Sequence, residues 1–342
     1  MRPIHYFAGG NTAEGFCTHF EDILPAPNRR RMYYLKGGPG VGKSTLMRRV
    51  GEAAEKAGLA VEYFHCSSDP DSLDGICLPE RGMAMMDGTS PHVYDPVVPG
   101  ARDTLLSLGD FLDEQALRPH ARDIAGVQQA ISVRFARCYR YLAAAQQVRR
   151  AAASGQEDAR KAHETAAAWA ETLPLRGGTG RIRRLFASAY TPKGCLNVLG
   201  DSFERCVSVD CPFGLHPTQV MERLAFLATL RGLNAVVLAN PLSPAEADGV
   251  LIAEHGVLFH AGRRLPASTG EWVEASRLFS LEAASEKEQS FDRNAYELLI
   301  QRAVEQLASA KSLHDELEGY YVGRMDFQKW QAVLDEVLRQ LE

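Results

Sequence analysis

Short apolar runs closed by glycine, proline or aspartate recur along the chain, and between them lie longer segments in which apolar residues return every third or fourth position. The first pattern predicts buried strands and the second amphipathic helices. In the first half, residues 4–8 read as a short strand and 32–36 as a second, ending in a glycine-rich turn. Residues 44–56 read as a helix with Leu46, Met47 and Val50 on one face and Gly58 as its stop. A strand over 61–64 follows, then apolar runs at 76–78 and 83–86 separated by the turn Pro79-Glu80-Arg81-Gly82. The same order returns later: strands at 184–186 and 206–209, a helix over 218–230, and strands at 235–238, 250–252 and 257–259. Strands alternating with a helix predict a mostly parallel sheet in each block. After each block the spacing turns helical. Val127, Ile131, Phe135, Cys138, Leu142 and Ala145 form one stripe, and Ile300, Ala303, Leu307, Ala310, His314, Leu317 and Tyr321 form another. Each stripe precedes a second helical segment, at 156–172 and 326–341, which predicts an appended αα-hairpin.

The recurrence has a constant period. A shift of 174 residues brings Gly40 onto Gly214, Gly58-Leu59 onto Gly232-Leu233, Pro70 onto Pro244, Asp74-Gly75 onto Asp248-Gly249, and Gly82 onto Gly256. Near the start of each block the shift is 179, bringing Phe7-Ala8, Thr12 and Gly15 onto Phe186-Ala187, Thr191 and Gly194. Shared glycines and prolines at one offset predict an internal duplication, with Gly177-Gly178-Thr179-Gly180 as the linker.

Composition narrows the classes. The 342 residues are 45% hydrophobic and 24% charged, an ordinary globular balance. A net charge of −5 offers no general attraction to nucleic acid or anionic membrane. No apolar run approaches the roughly 18 residues of a membrane span, and the N-terminal residues lack the apolar core of a signal peptide. Seven cysteines without a Cys-x-x-Cys pair predict a reduced, cytoplasmic protein without structural zinc.

The chemistry concentrates at one loop. Gly37-Gly38-Pro39-Gly40-Val41-Gly42-Lys43-Ser44, followed by Thr45, matches GxxxxGK[ST] between a predicted strand and a predicted helix. Glycines let successive amides point inward as a nest for phosphate, and the helix N-terminus adds unpaired donors and a positive dipole end. Lys43 supplies a cation for the β- and γ-phosphates, and the Ser44 hydroxyl is an oxygen ligand for Mg²⁺. Asp87 ends an apolar run in the manner of a Walker B strand and is the candidate carboxylate beside the metal. The polar segment 65–74 follows a strand end. Within it Asp69, with Asp71 as a weaker choice, is the candidate group to orient an attacking water or a substrate hydroxyl. His65 reads as a structural residue, and Cys66 has no basic neighbour to activate it. Asp74 and Glu80 recur as Asp248 and Glu254 and therefore read as turn-forming or structural residues.

The second block lacks this set. Gly37 becomes Cys211, Gly42 becomes His216, Lys43 becomes Pro217, Ser44 becomes Thr218, Asp69 becomes Ser243 and Asp87 becomes Ala261. One working site is expected, with the second block degenerate. Arg181, Arg183 and Arg184 are candidates to lend a cation across the blocks, although a solvated basic cluster is the simpler reading. Arg134, Arg137 and Tyr141 likewise read as a solvated helix face.

The strings at residues 5–12 (HYFAGGNT), 35–44 (LKGGPGVGKS), 64–75 (FHCSSDPDSLDG), 87–92 (DGTSPH) and 185–189 (LFASA) resemble a family of bacterial P-loop ATPases without an assigned biological role. The resemblance extends over nearly the whole chain, including the duplication, and departs at 211–218. It implies ATP binding and hydrolysis and no particular cellular process. The resulting expectation is an α/β protein of tandem P-loop NTPase-like modules: an active module over 1–99, a helical hairpin over 100–176, a degenerate module over 181–265 and a second hairpin over 266–342. The expected ligands are ATP and Mg²⁺, since no NKxD-type guanine reader is visible. The expected binding residues are Gly37 to Thr45, with Lys43, Asp87 and Asp69 catalytic and Ser44 and Asp87 on the metal. A small-molecule or nucleotide kinase and a non-catalytic nucleotide switch are the alternatives. The second substrate or protein partner is unidentified, a homo-oligomer is left open, and neither membrane nor nucleic acid is expected as a partner.

Overall fold

A computed structural model describes residues 3–90, 93–200, 203–262, 267–283 and 285–341. The Pro91-His92 end of the 87–92 string and the expected module boundary at 265–266 lie outside the described residues. The first half runs β1 (Ile4–Phe7), β2 (Gly9–Thr12), β3 (Gly15–Thr18), β4 (Arg31–Lys36), α1 (Lys43–Lys56), β5 (Glu62–His65), β6 (Leu73–Leu78), β7 (Met83–Asp87), β8 (Asp103–Ser107), α2 (Glu114–Leu117), α3 (Ala121–Ala151), β9 (Gly155–Glu157) and α4 (Ala159–Glu171). The second runs β10 (Ile182–Leu185), β11 (Ser188–Thr191), β12 (Gly194–Asn197), β13 (Phe203–Val209), α5 (Thr218–Leu230), β14 (Ala235–Ala239), β15 (Ala247–Ile252), β16 (Val257–Ala261), β17 (Ala267–Val273), β18 (Phe279–Leu281), α6 (Glu286–Tyr321) and α7 (Phe327–Arg339).

The fold is α/β, built on two six-stranded sheets. Their orders are β1-β5-β6-β7-β4-β8 and β10-β14-β15-β16-β13-β17, which correspond strand for strand. Each sheet is mixed: five strands run parallel, as the mostly parallel expectation has it, and β6 and β15 run against their neighbours. The cause is local. The four-residue connection from β6 to β7 is a tight 3-10 turn closed by Gly82, too short for a parallel crossover.

The two sheets pack face to face. Met32, Tyr34, Ala84 and Met86 from one meet Cys206, Val236, Leu251 and Leu258 from the other. The alternate residues Tyr33, Leu35, Met83 and Met85 point to the opposite face and pack under α1 and α7. Strands buried on both faces read as unbroken apolar runs, which is why these segments lack polar alternation. The layers are therefore α1 with α7, first sheet, second sheet, and α5 with α4.

The helices cross between the halves. The segments expected as hairpins do not pack chiefly within themselves. Instead α3 pairs with α6, α4 lies on α5 of the second half, and α7 lies on α1 of the first. The α3–α6 pair is antiparallel: His120 at the start of α3 meets Tyr320 near the end of α6, and Gln289 near the start of α6 donates to Ser154 just beyond α3. Cys138, Leu142, Ala303 and Leu307 fill the seam. Periodicity shows that a helix has an apolar face but not which sheet that face covers. The halves also share a four-stranded sheet, β12-β11-β2-β3, joined at Tyr190 and Asn11. Among the described residues no helix is long and apolar enough to cross a membrane.

Candidate functional site

The loop between β4 and α1 lies where the strands of the first sheet end. Gly37, Gly40 and Gly42 take φ values of 150°, 71° and 80°, backbone that a side chain would strain. Gly42 precedes α1 without a side-chain cap, and no acidic residue sits in the first turn. The helix N-terminus is thus left with its donors and its positive dipole end. Behind it, Leu46, Met47, Val50 and Ala54 bury one face of α1 against the sheet and fix its direction.

Lys43 folds back over the loop. Its Nζ donates to the Gly37 and Gly38 carbonyls at 2.7 and 3.0 Å and lies 3.5 Å from Asp87 Oδ2. Asp87 ends β7, paired in parallel register with Leu35 of β4. Its Oδ1 accepts from the Thr89 amide at 2.8 Å and from the Thr89 hydroxyl, so the carboxylate is oriented by its own turn. Ser44 accepts from the Leu73 amide at 2.9 Å, tying the start of α1 to the start of β6. Asp69 Oδ2 accepts from the Ser72 hydroxyl at 2.9 Å and faces Lys311 Nζ of α6 at 3.6 Å. Pro39 and Val41 complete the loop, with Val41 buried in the core below it, while Thr45 is exposed.

Asp74 belongs to the same site, although its recurrence as Asp248 had suggested a turn residue. It precedes Gly75, which pairs with Met86, and so stands across from Asp87. Its carboxyl is buried, and its pKa is pushed up to about 7, first by desolvation and then by the charge of Asp87. Burial also pushes the neighbouring Cys66 thiol well up, which removes it as a nucleophile. His5 and His65 form a pair at 2.9 Å, and the other ring nitrogen of His65 meets the Pro70 carbonyl, bracing the 66–72 loop from beneath.

The second half reaches this site through groups other than the arginines considered from sequence. Lys193, in the β11–β12 turn, pairs with Asp71 at 2.6 Å, and Lys311 pairs with Asp69 and Asp315. The Tyr321 ring packs over Gly38 and Val322 over Gly40. Arg183 instead makes a buried, two-pronged pair with Glu62 at 2.9 and 2.8 Å, Arg184 binds Glu222 and the Pro244 carbonyl, and Arg181 binds Asn28. Arg181 and Arg183 fasten the second half to the first, while the Arg184 side chain is spent within its own half and only its amide crosses, to Asp22. Arg137 stacks on Tyr141 of its own helix on an exposed face. Lys193, Lys311 and Tyr321 carry no motif; the crossing of α6 onto the first half brings Lys311 and Tyr321 near, and the shared sheet β12-β11-β2-β3 brings Lys193.

At the corresponding place in the second half, Thr218 accepts from the Ala247 amide at 3.2 Å, as Ser44 does from Leu73. His216 and Pro217 stand where Gly42 and Lys43 stand. Arg149, buried at the end of α3, donates to His216, to Asn240 and to Glu246. His216 in turn pairs with Asp248 at 3.1 Å.

No known family model, curated protein or solved structure matches the chain.

Proposed function

We propose that the chain is a P-loop nucleoside-triphosphatase formed by duplication, with one site, in the first half, that binds ATP with Mg²⁺ and hydrolyses it. The observation that carries this reading is the meeting of the Gly37–Ser44 loop, the uncapped start of α1 and the Lys43–Asp87 pair at one sheet end. Together they provide amide donors, a dipole end and a movable cation for a chain of phosphates. Lys43 exchanges its two loop carbonyls for the β- and γ-phosphate oxygens, gaining charge-assisted hydrogen bonds.

Ser44, Asp87 and Asp74 offer hydroxyl and carboxylate oxygens, the donor chemistry that suits Mg²⁺. Ser44 and Asp87 would hold the ion, with Asp74 behind them. When bound, Mg²⁺ supplies positive charge to the phosphate oxygens. Asp69, fixed by Ser72 and Lys311, is the group placed to orient the attacking water. Tyr321 and Val322 cover the loop from the second half and limit the entry of solvent.

Release of inorganic phosphate from ATP and Mg²⁺ tests the reading. Steady release by the intact protein, lost in Lys43→Ala, is expected. Release or transfer that requires an added hydroxylated acceptor would make the protein a kinase. Tight binding without turnover would make it a switch.

A further inference from the structure

The start of α5 is not open as the start of α1 is. Glu157, from β9 of the first half, reaches across and accepts from the amides of Gln219 and Val220 at 2.7 and 2.8 Å. The 174-residue period makes these the counterparts of Thr45 and Leu46. On the loop that leads into α5, the Arg149 guanidinium is held by Glu246 and meets His216, the counterpart of Gly42. An anion on the helix N-terminus and a cation on the loop before it is the arrangement a P-loop makes with phosphate and lysine.

We infer that the second half is liganded by the chain itself: Glu157 takes the anion position at the N-terminus of α5, and Arg149 supplies the cation that Pro217 removed. The phosphate analogy rests on the function proposed above; the internal contacts do not.

The first half shows what the alternative looks like. Asp158 caps α4 and Asp326 caps α7, each accepting from two amides of its helix. The residue before each cap is therefore equivalent: Glu157 in one half, Met325 in the other. Met325 bridges to Leu112 and is buried in the core below the first sheet, so this position brings no carboxylate to α1. Likewise the position that touches the glycine of each loop is Arg149 against Gly214 and Glu318 against Gly40. One substitution pattern fills the second site, and the other leaves the first for an external ligand.

Two consequences follow. The second half cannot take a phosphate without expelling Glu157 from a half-buried seat. Arg149 and Glu157 tie both ends of the 149–157 segment to the second half, with β9 also paired to β18.

The test removes the internal ligand in a background that lacks the first site's lysine. In Lys43→Ala/Glu157→Ala, hydrogen exchange of the peptide containing Gln219 and Val220 should quicken about tenfold or more relative to Lys43→Ala. Millimolar inorganic phosphate should slow it again and raise Tm by a few degrees. In Lys43→Ala with Glu157 intact, phosphate should change neither. If the alanine variant does not fold, Glu157→Gln, which keeps the shape and one acceptor oxygen, should fold and show intermediate exchange. Unchanged exchange in these variants would overturn the inference, as would exposed amides that phosphate fails to protect, or equal phosphate protection with Glu157 present. A failure of nucleotide binding at the first half would appear separately, in the intact protein, and would leave this result standing.

Discussion

The two halves carry the same strand order and differ in what fills the end of each sheet. In the first, Asp87 and Asp74 stand by a lysine that rests on its own loop, and Asp69 adds a third carboxylate near Asp74. In the second, an arginine, a histidine and the acids around them pair with one another. On the function proposed above, the difference is between a sheet end kept for an outside ligand and one closed by the chain's own side chains. The backbone scaffold is kept, including the hydroxyl-to-amide tie of Ser44 and Thr218. What changes is the origin of the charges, which in the second half come from a covalently attached neighbour.

Several substitutions break or sharpen this contrast. The largest effect is expected from Lys43→Ala, which should weaken ATP binding by about 10²-fold or more through loss of charge-assisted hydrogen bonds to phosphate, read by calorimetric titration. Pro217→Ala at the counterpart position should leave that affinity unchanged. Next come the paired tryptophans. Trp330 packs α7 against the first half and Trp169 packs α4 against the second, each nearly buried. Either change to alanine should cost about 3–5 kcal/mol of stability in denaturant unfolding. Only Trp330→Ala should also weaken nucleotide binding, because a side chain at Gly42 would stand 2.8 Å from its indole nitrogen. Removal of His216 should cost about 1–3 kcal/mol by leaving Arg149 and Asp248 short of a partner, with ATP affinity intact.

The smallest effect is one of pH. His5 and His65 both have pKa values below the ordinary 6.5, chiefly from burial, and for His5 also from the facing His65. Each is therefore held neutral in the fold. Their contribution to stability is complete above pH 6.5 and falls as the pH drops below it. Their counterparts, Arg184 and Ala239, do not titrate in that range. Acid should thus loosen the 66–72 loop before the matching loop of the second half, seen as a lower hydrogen-exchange protection factor, after normalising to the intrinsic rate, at pH 5.5 than at 7.5, and His65→Gln should flatten the difference.

Much of this was legible in the sequence, for reasons that also mark where legibility ends. The helix over 218–230 and the strands at 32–36 and 83–86 are long, apolar and bounded by glycine or proline, and α5, β4 and β7 fall on them. The paired hairpins β2–β3 and β11–β12 were missed. Gly9-Gly10-Asn11-Thr12 shows no apolar alternation, and its link to the second hairpin, Asn11 to Tyr190, spans 179 residues. The antiparallel course of β6 is implicit in the Pro79–Arg81 turn, whereas the strand–helix alternation points to parallel strands. Asp74 was set aside because it recurs as Asp248. Recurrence marks a shared place in the fold, and that place is the sheet end in both halves. Lys311 and Glu157 were invisible because each acts on the half of the chain it does not belong to.

The central claim is a single triphosphate site in a chain with two similar sheets. Calorimetric titration of the intact protein with ATP and Mg²⁺ measures it directly. One site per chain, abolished by Lys43→Ala and untouched by His216→Ala, is the predicted result. Two equivalent sites, or no heat of binding at all, would contradict it.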